Sequence, residues 1–146
     1  RRLNVNSLDE NNEYGVNEAV NKATSMYLDQ DLDSSLVLPS DIPLVTPLDL
    51  DQIVGMAELP DSVVMTPSLK LDGTNALLRS PPTVMKTFYD QDSYTSHYNE
   101  ALHLHLNLKL YLSRNIMLDI DNPEDIEEFM KVKSTTLTHE FLKTIL

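Results

Sequence analysis

The chain has 146 residues, 41% of them hydrophobic, with 23 Asp and Glu against 11 Lys and Arg and a formal net charge of −12. That is the size of one domain with a real core, and the acidity argues against a nucleic-acid-binding surface, which needs a basic stripe. Cysteine is absent, which excludes disulfides, thiolate catalysis and cysteine-ligated zinc and fits a cytoplasmic setting; no apolar run reaches the length of a membrane span, and no secretory signal opens the chain.

The first residues, Arg1-Arg2-Leu3-Asn4-Val5, alternate like a strand caught in mid-domain, so an N-terminally truncated domain is expected. Residues 7–14 are polar and turn-rich, a loop. Val16, Ala19, Val20, Ala23 and Tyr27 fall at helical spacing and predict a helix over residues 16–28. Leu36-Val37-Leu38 reads as a short strand buried on both faces, with Asp41 just beyond it. Thr46-Pro47-Leu48-Asp49 has the order N-cap, first-turn proline, first-turn acid, and starts a helix expected to run to about Glu58.

Val63-Val64-Met65 is the next buried strand, and residues 74–79 return as another until Pro81-Pro82 ends it. A short helix is expected over residues 83–88. A longer one starts at Ser93, read as its N-cap, and continues to about His105. Strict alternation then gives a strand over residues 109–112. Ile116-Met117-Leu118 runs apolar into Asp119, and Asn122-Pro123-Glu124-Asp125 repeats the helix-start pattern. A last helix covers residues 137–146. The alternation of strands and helices predicts a single α/β domain, a layered sandwich with a mostly parallel sheet.

Two segments, Ser40-Asp41-Ile42-Pro43-Leu44 and Leu118-Asp119-Ile120-Asp121, put carboxylates where an apolar strand is expected to run out. In open α/β sheets ligands bind beyond the carboxyl ends of the strands. On a strand, Asp119 and Asp121 would share a face. Like charges that close favour a divalent cation, and oxygen-only ligands suit Mg²⁺ or Mn²⁺. The plainer alternative is a helix-capping Asp121 and a surface Asp119. Between the two segments, Gly73-Thr74-Asn75 is either a turn, with Gly73 supplying positive φ, or a place where backbone N–H groups and the Thr74 hydroxyl meet an anion. Ser93 is first an N-cap, and its helix terminus could also hold a phosphate or carboxylate. His97 reads as packing before ligand contact, and His103 and His105 as surface histidines. Together these residues suggest metal-dependent nucleotidyl transfer.

Four segments in order resemble the 2-phospho-L-lactate guanylyltransferase family: Tyr14-Gly15-Val16-Asn17-Glu18-Ala19, Ser40-Asp41-Ile42-Pro43-Leu44, Asp72-Gly73-Thr74-Asn75-Ala76-Leu77, and Asp119-Ile120-Asp121-Asn122-Pro123-Glu124-Asp125. The resemblance covers about residues 14 to 130. It implies a nucleotide-diphospho-sugar-transferase-like fold, related to the molybdenum-cofactor guanylyltransferases and here lacking its first strand or strands. It also implies an archaeal-type, cytoplasmic enzyme, a homodimer, that joins GTP to 2-phospho-L-lactate or phosphoenolpyruvate. Pyrophosphate leaves, and the product enters coenzyme F420 biosynthesis. By the same resemblance Asp41, Asp119 and Asp121 are the catalytic, metal-binding acids for Mg²⁺ or Mn²⁺, and Thr74 and Ser93 bind the substrate; Gly73, Asn75 and Asp90, beside them in sequence, are expected to face the substrate as well. The family's Gly-x-Gly-Ser loop reads Asp90-Gln91-Asp92-Ser93 here, with two acids in place of two glycines. The alternatives are another metal-dependent nucleotidyltransferase and a non-catalytic, degenerate homologue or fragment.

Overall fold

The computed structural model describes residues 5–8, 15–30, 32–90 and 92–146. The expected strand over residues 3–5 and the loop through Tyr14 lie almost wholly outside them, and Val5 itself is in no strand. The elements are helix α1 (Val16–Tyr27), a 3₁₀ turn (Leu28–Gln30), strand β1 (Ser35–Val37), helix α2 (Pro47–Gly55), strands β2 (Ser62–Pro67) and β3 (Thr74–Ser80), helix α3 (Ser93–His103), strand β4 (Asn107–Leu110), and helices α4 (Arg114–Met117), α5 (Pro123–Met130) and α6 (Leu137–Ile145).

The four strands form one sheet in the order β1-β3-β2-β4. β3 is antiparallel to both β1 and β2, and β4 is parallel to β2. The α/β class and the helix-covered sheet are as expected, but the pairing is mixed, not mostly parallel. The connection from β2 to β3 is the reason. It holds only residues 68–73, too few for a crossover, so the second strand must return antiparallel. Three strands, β1, β2 and β4, still point the same way, and their carboxyl ends share one edge of the sheet.

Strand alternation sorts the core into two layers. Val64, Ala76 and Leu78 face Ile53 of α2 and Ile116 of α4. Val63, Met65 and Leu77 face Ala101 of α3 and Met85. All of these except Met85, at 4%, are at most 1% exposed, so each large aliphatic contributes about 2 kcal/mol of transfer free energy. A third cluster of Leu44, Leu118, Phe129 and Leu142 packs α5 and α6 against the segments that follow β1 and α4.

Helix α1 starts at Gly15, whose φ of 86° is a left-handed value that favours glycine. Both proline-containing helix starts are capping boxes, Thr46 with Asp49 and Asn122 with Asp125. α2 stops at Gly55, short of the expected Glu58. Residues 83–88 form a turn that opens into irregular chain, and no helix. The N-cap of α3 is Asp92, with φ 49°, and Ser93 is the first helical residue. Its hydroxyl serves another purpose, described below. The run Ile116-Met117-Leu118 is not a strand: α4 supplies its first two residues, and Leu118 leaves it extended. β4 begins at Asn107, earlier than expected, because Asn107 is pinned beside the start of β2. Its Nδ2 donates to the Pro60 carbonyl (2.6 Å) and its N–H to the Asp61 carbonyl (2.9 Å).

Asp49 does more than cap. It is 3% exposed. Its carboxylate accepts from the Thr46 N–H (3.0 Å), the Tyr111 hydroxyl (2.9 Å), the Ser113 hydroxyl (2.7 Å) and the Asn115 amide (3.1 Å). Burial alone would push this carboxyl upward, but the bonds from Thr46, Ser113, Asn115 and Tyr111 outweigh it and hold the pKa at about 2. A folded-state pKa below the ordinary 3.8 stabilises the fold above that value, and the benefit fades as pH falls toward 2. Asp49→Asn should therefore cost about 2 kcal/mol in urea unfolding at pH 7, and the two proteins should converge as pH approaches 2. Equal stability at pH 7 would remove Asp49 from this role.

Candidate active site

The shared carboxyl edge of β1, β2 and β4 is where the polar segments converge. β1 leads to Asp41, β2 leads into the loop 68–73, β3 begins there at Thr74, and β4 leads through α4 to Asp119. The two acid-bearing segments touch directly, since the Ile120 N–H donates to the Asp41 carbonyl at 3.1 Å.

On the α4 side stand carboxylates that are only partly compensated. Asp41 Oδ1 is buried and has no hydrogen-bond partner. Asp119 is held above the ordinary carboxylate range, first by burial and further by the charges of Asp121 and Asp41; its own backbone and the Asn75 amide oppose the shift. Asn75 is 4% exposed, and its Nδ2 donates to the carbonyls of Ile116 (2.9 Å) and Met117 (3.2 Å). It thus fixes the chain that carries Asp119. Lys70, exposed in the loop 68–73, pairs with Asp125 at 3.1 Å and also feels Asp119 and Asp121. Asp125 caps α5 and accepts from the N–H groups of Asp121 (3.1 Å) and Asn122 (3.2 Å). Among the described residues, no three His, Asp or Glu side chains converge closely enough to enclose a metal ion.

On the α3 side stands a hydroxyl pair. The Ser93 hydroxyl donates to Thr74 Oγ1 at 3.2 Å, and Thr74 Oγ1 lies 3.0 Å from His97 Nδ1. The Phe88 N–H donates to His97 Nε2 at 2.8 Å. His97 is fully buried. Burial, with help from the nearby Arg79 charge, lowers its pKa to about 4 against a hydrogen bond with the Ser93 backbone, so the ring is neutral at physiological pH.

A β-bulge separates the two sides. Thr66 pairs with Ala76, but Pro67 pairs with Thr74, leaving Asn75 as the extra residue. Regular alternation would put Thr74 on the face of Ala76 and Leu78, toward α2 and α4. The bulge turns it toward α3 and sends Asn75 to α4.

Other expectations are corrected. Gly73 does not have positive φ; the left-handed residue of the loop is Leu71, at φ 61°. The Gly73 N–H is already engaged with Ser68 Oγ at 3.1 Å, so it offers nothing to an anion. A Cβ at this position would stand 3.4 Å from Ser68 Cβ, close to ordinary van der Waals contact, so neither backbone conformation nor space requires glycine here. Asp119 follows a turn of helix, not a strand. Asp90 is exposed and bonds to neither Thr74 nor Ser93. His103 and His105 are exposed, as expected. A hollow of about 470 Å³ opens elsewhere, between α1 and β1, and none of the predicted site residues lines it.

Sequence reasoning missed Lys70 and Asp125 as members of the site and read His97 as packing first and ligand contact second. One signal was available: Asp125, as the acid of a capping box, closes back onto Asn122, the neighbour of Asp121.

The whole chain, residues 1–146, matches the family described as "Guanylyl transferase CofC like". It is 30% identical over 145 residues to the 2-phospho-L-lactate guanylyltransferase of Methanobrevibacter smithii, covering 99% of this chain and 63% of that protein. It is 29% identical over 113 residues to the phosphoenolpyruvate guanylyltransferase of Rubrobacter xylanophilus, covering 77% of this chain and 55% of that one. The 3-phospho-D-glycerate guanylyltransferase of Colwellia psychrerythraea is 30% identical over 129 residues, with 88% and 60% covered. The chain thus spans 55 to 63% of the length of these relatives. A crystal structure described as a nucleotide-diphospho-sugar transferase from Desulfovibrio desulfuricans G20 superposes with a TM-score of 0.72 at 14% identity, over 91% of this chain and 60% of that one, and shows the shared fold.

The electrostatics of the acid cluster are open to measurement by carboxyl ¹³C NMR titration. Asp119 should titrate above the ordinary aspartate range. Asp121→Asn should lower its midpoint by removing a like charge, and Asn75→Ala should raise it by removing a stabilising amide. A midpoint that moves in neither variant would show that the cluster is not coupled.

Proposed function

The chain belongs to the guanylyl transferase CofC-like family, and from that premise we propose that it acts in transfer of a guanylyl group from GTP to a small phosphorylated carboxylic acid. The three acceptors named for its relatives, 2-phospho-L-lactate, phosphoenolpyruvate and 3-phospho-D-glycerate, share this chemistry. 2-Phospho-L-lactate or phosphoenolpyruvate, feeding coenzyme F420 synthesis, is the reading that the motifs favour.

One observation carries the proposal: a buried, unpartnered oxygen of Asp41 beside an Asp119 whose ionisation is opposed by its neighbours. Carboxylates left like this fit a hard divalent cation such as Mg²⁺ or Mn²⁺. Mg²⁺ commonly takes one or two protein carboxylates, with substrate phosphate and water filling its remaining positions, so two acids suffice where three do not close. Asp41 and Asp119 would hold the ion, with Asp121 adding charge beside them. Such an ion neutralises the charge that builds on the triphosphate.

The residues of the chain itself do the positioning. Asn75 orients Asp119 through the carbonyls of α4. Thr74 and Ser93 bind the phospho-acid on the α3 side. An oxygen of the acceptor phosphate attacks the α-phosphorus of GTP; the new P–O bond forms as the bond to the β-phosphate oxygen breaks, and pyrophosphate leaves with the electron pair. No protein nucleophile is required, and catalysis is orientation plus electrostatic stabilisation.

Asp119→Asn separates function from folding. A carboxyl with a raised folded-state pKa favours the fold only in acid and costs stability at neutral pH. The variant should therefore melt at the wild-type temperature or slightly above it. Pyrophosphate release from GTP with each of the three acids should drop by about 100-fold or more. The wild-type reaction should stop on chelation and return with added Mg²⁺. Near-normal turnover by Asp119→Asn would overturn the assignment.

A further inference from the structure

The hydrogen-bond count around Thr74 assigns a role to a residue that packing alone does not explain. His97 Nε2 lies 2.8 Å from the Phe88 N–H, a group that can only donate. Nε2 must therefore be the unprotonated nitrogen, and in the neutral ring the proton sits on Nδ1. Nδ1–H then donates toward Thr74 Oγ1 at 3.0 Å. The ring has no freedom to choose otherwise. It is fully buried, and the rings of Phe88 (6.0 Å) and Tyr89 (4.9 Å) meet it edge-on.

Thr74 and Ser93 together carry two hydroxyl protons. One is consumed between them, in the 3.2 Å bond. Because Nδ1–H is a donor, the second cannot be spent on His97. No other described group accepts it, although Thr74 is only 7% exposed and Ser93 only 6%. A buried hydroxyl with an unused proton, at the carboxyl edge of the sheet, is a donor prepared for an incoming acceptor.

We propose that His97 is a positioning residue: held as the Nδ1–H tautomer, it fixes the polarity of the Thr74–Ser93 pair so that one hydroxyl proton is presented to an anionic oxygen of the phospho-acid. The proposal rests on the guanylyl-transfer reading for its ligand, and on the hydrogen bonds alone for the tautomer. It predicts that His97 serves the acid and not the nucleotide. The ring must stay neutral, because an imidazolium would set an Nε2–H against the Phe88 N–H. Arg79 is the charged group that disfavours that form; the Ser93 carbonyl favours it.

Two measurements on the intact protein test this. In steady-state kinetics, His97→Leu should raise KM for the phospho-acid by roughly 10- to 100-fold, the size expected for a lost charge-assisted hydrogen bond, with KM for GTP nearly unchanged. His97→Asn, which restores an N–H near the Nδ1 position, should recover most of that loss. Equal effects on both KM values, or no effect on the acid's, would overturn the proposal. Separately, long-range ¹H–¹⁵N spectra of the wild type should show protonated Nδ1 and bare Nε2 from pH 8 to pH 5. An Nε2–H tautomer or an imidazolium at pH 7 would overturn it even if His97→Leu does not fold. Absence of wild-type turnover with all three acids would sink the transfer reading and the ligand named here, and the spectra would then judge the tautomer by themselves.

Discussion

Asp49 determines where the other carboxylates stand. Its oxygens hold the N-terminus of α2, which follows directly on the segment carrying Asp41, and three side chains from residues 111–115, which lead through α4 to Asp119. Two segments more than 60 residues apart in sequence are thereby fastened to one buried group. The backbone bond from Ile120 to Asp41 joins the same two segments a second time. Asp49 itself is fully engaged and stays ionised, so it contributes rigidity. Asp41 and Asp119, a few residues away on each segment, have the opposite character: an oxygen of Asp41 is buried without a partner, and burial and neighbouring charge oppose the ionisation of Asp119. The fold invests its satisfied carboxylate next to its unsatisfied ones.

That contrast bears on the substrate problem. A protein with a formal charge of −12 repels a triphosphate at long range, and the acid cluster repels it further at short range. On the proposed reading a cation reverses the sign locally, and Lys70 supplies the only basic side chain ion-paired at the rim among the described residues. Lys70 is tied to Asp125, which is tied in turn to the backbone of Asp121 and Asn122. The loop between β2 and β3 and the start of α5 are therefore coupled through one ion pair whose lysine is exposed, which water and salt will weaken.

Local rules read well where they are self-contained. The capping boxes at Thr46 and Asn122, the buried runs of β2 and β3, and the helical spacing of α1 each declare themselves within a few residues, and each is present. The strand-tip rule put Asp41 and Asp119 at the same end of the sheet, which is right, although Asp119 reaches it from a helix. Ile116-Met117-Leu118 misleads because a short apolar run looks the same as a strand or as one buried helical turn. Ser93 misleads because its hydroxyl caps nothing and bonds across to β3. Sheet direction depended on the length of the loop 68–73, whose turn was read while its consequence for pairing was not. Lys70 and His97 have meaning only through partners 55 and 23 residues away, which no local window contains, whereas the bond from Asp125 back to residue 121 is local and its link to Lys70 is not.

The bulge at Asn75 is what lets one strand end serve two chemistries. Neighbouring residues on a strand normally face opposite ways, and here they still do, but with the assignment reversed relative to the rest of β3. With regular pleating Thr74 would lie against α4, among the carboxylates, where a hydroxyl offered to an anion would be set beside like charge. Asn75 would lie against α3, with its amide far from the carbonyls of Ile116 and Met117. One inserted residue separates the functions. Amide and acids gather on one side of the sheet, hydroxyls and a neutral histidine on the other, and the loop that ends at Gly73 lies between them. A donor for an anionic acid and a cluster of carboxylates suited to a cation can then sit close together without sharing a face.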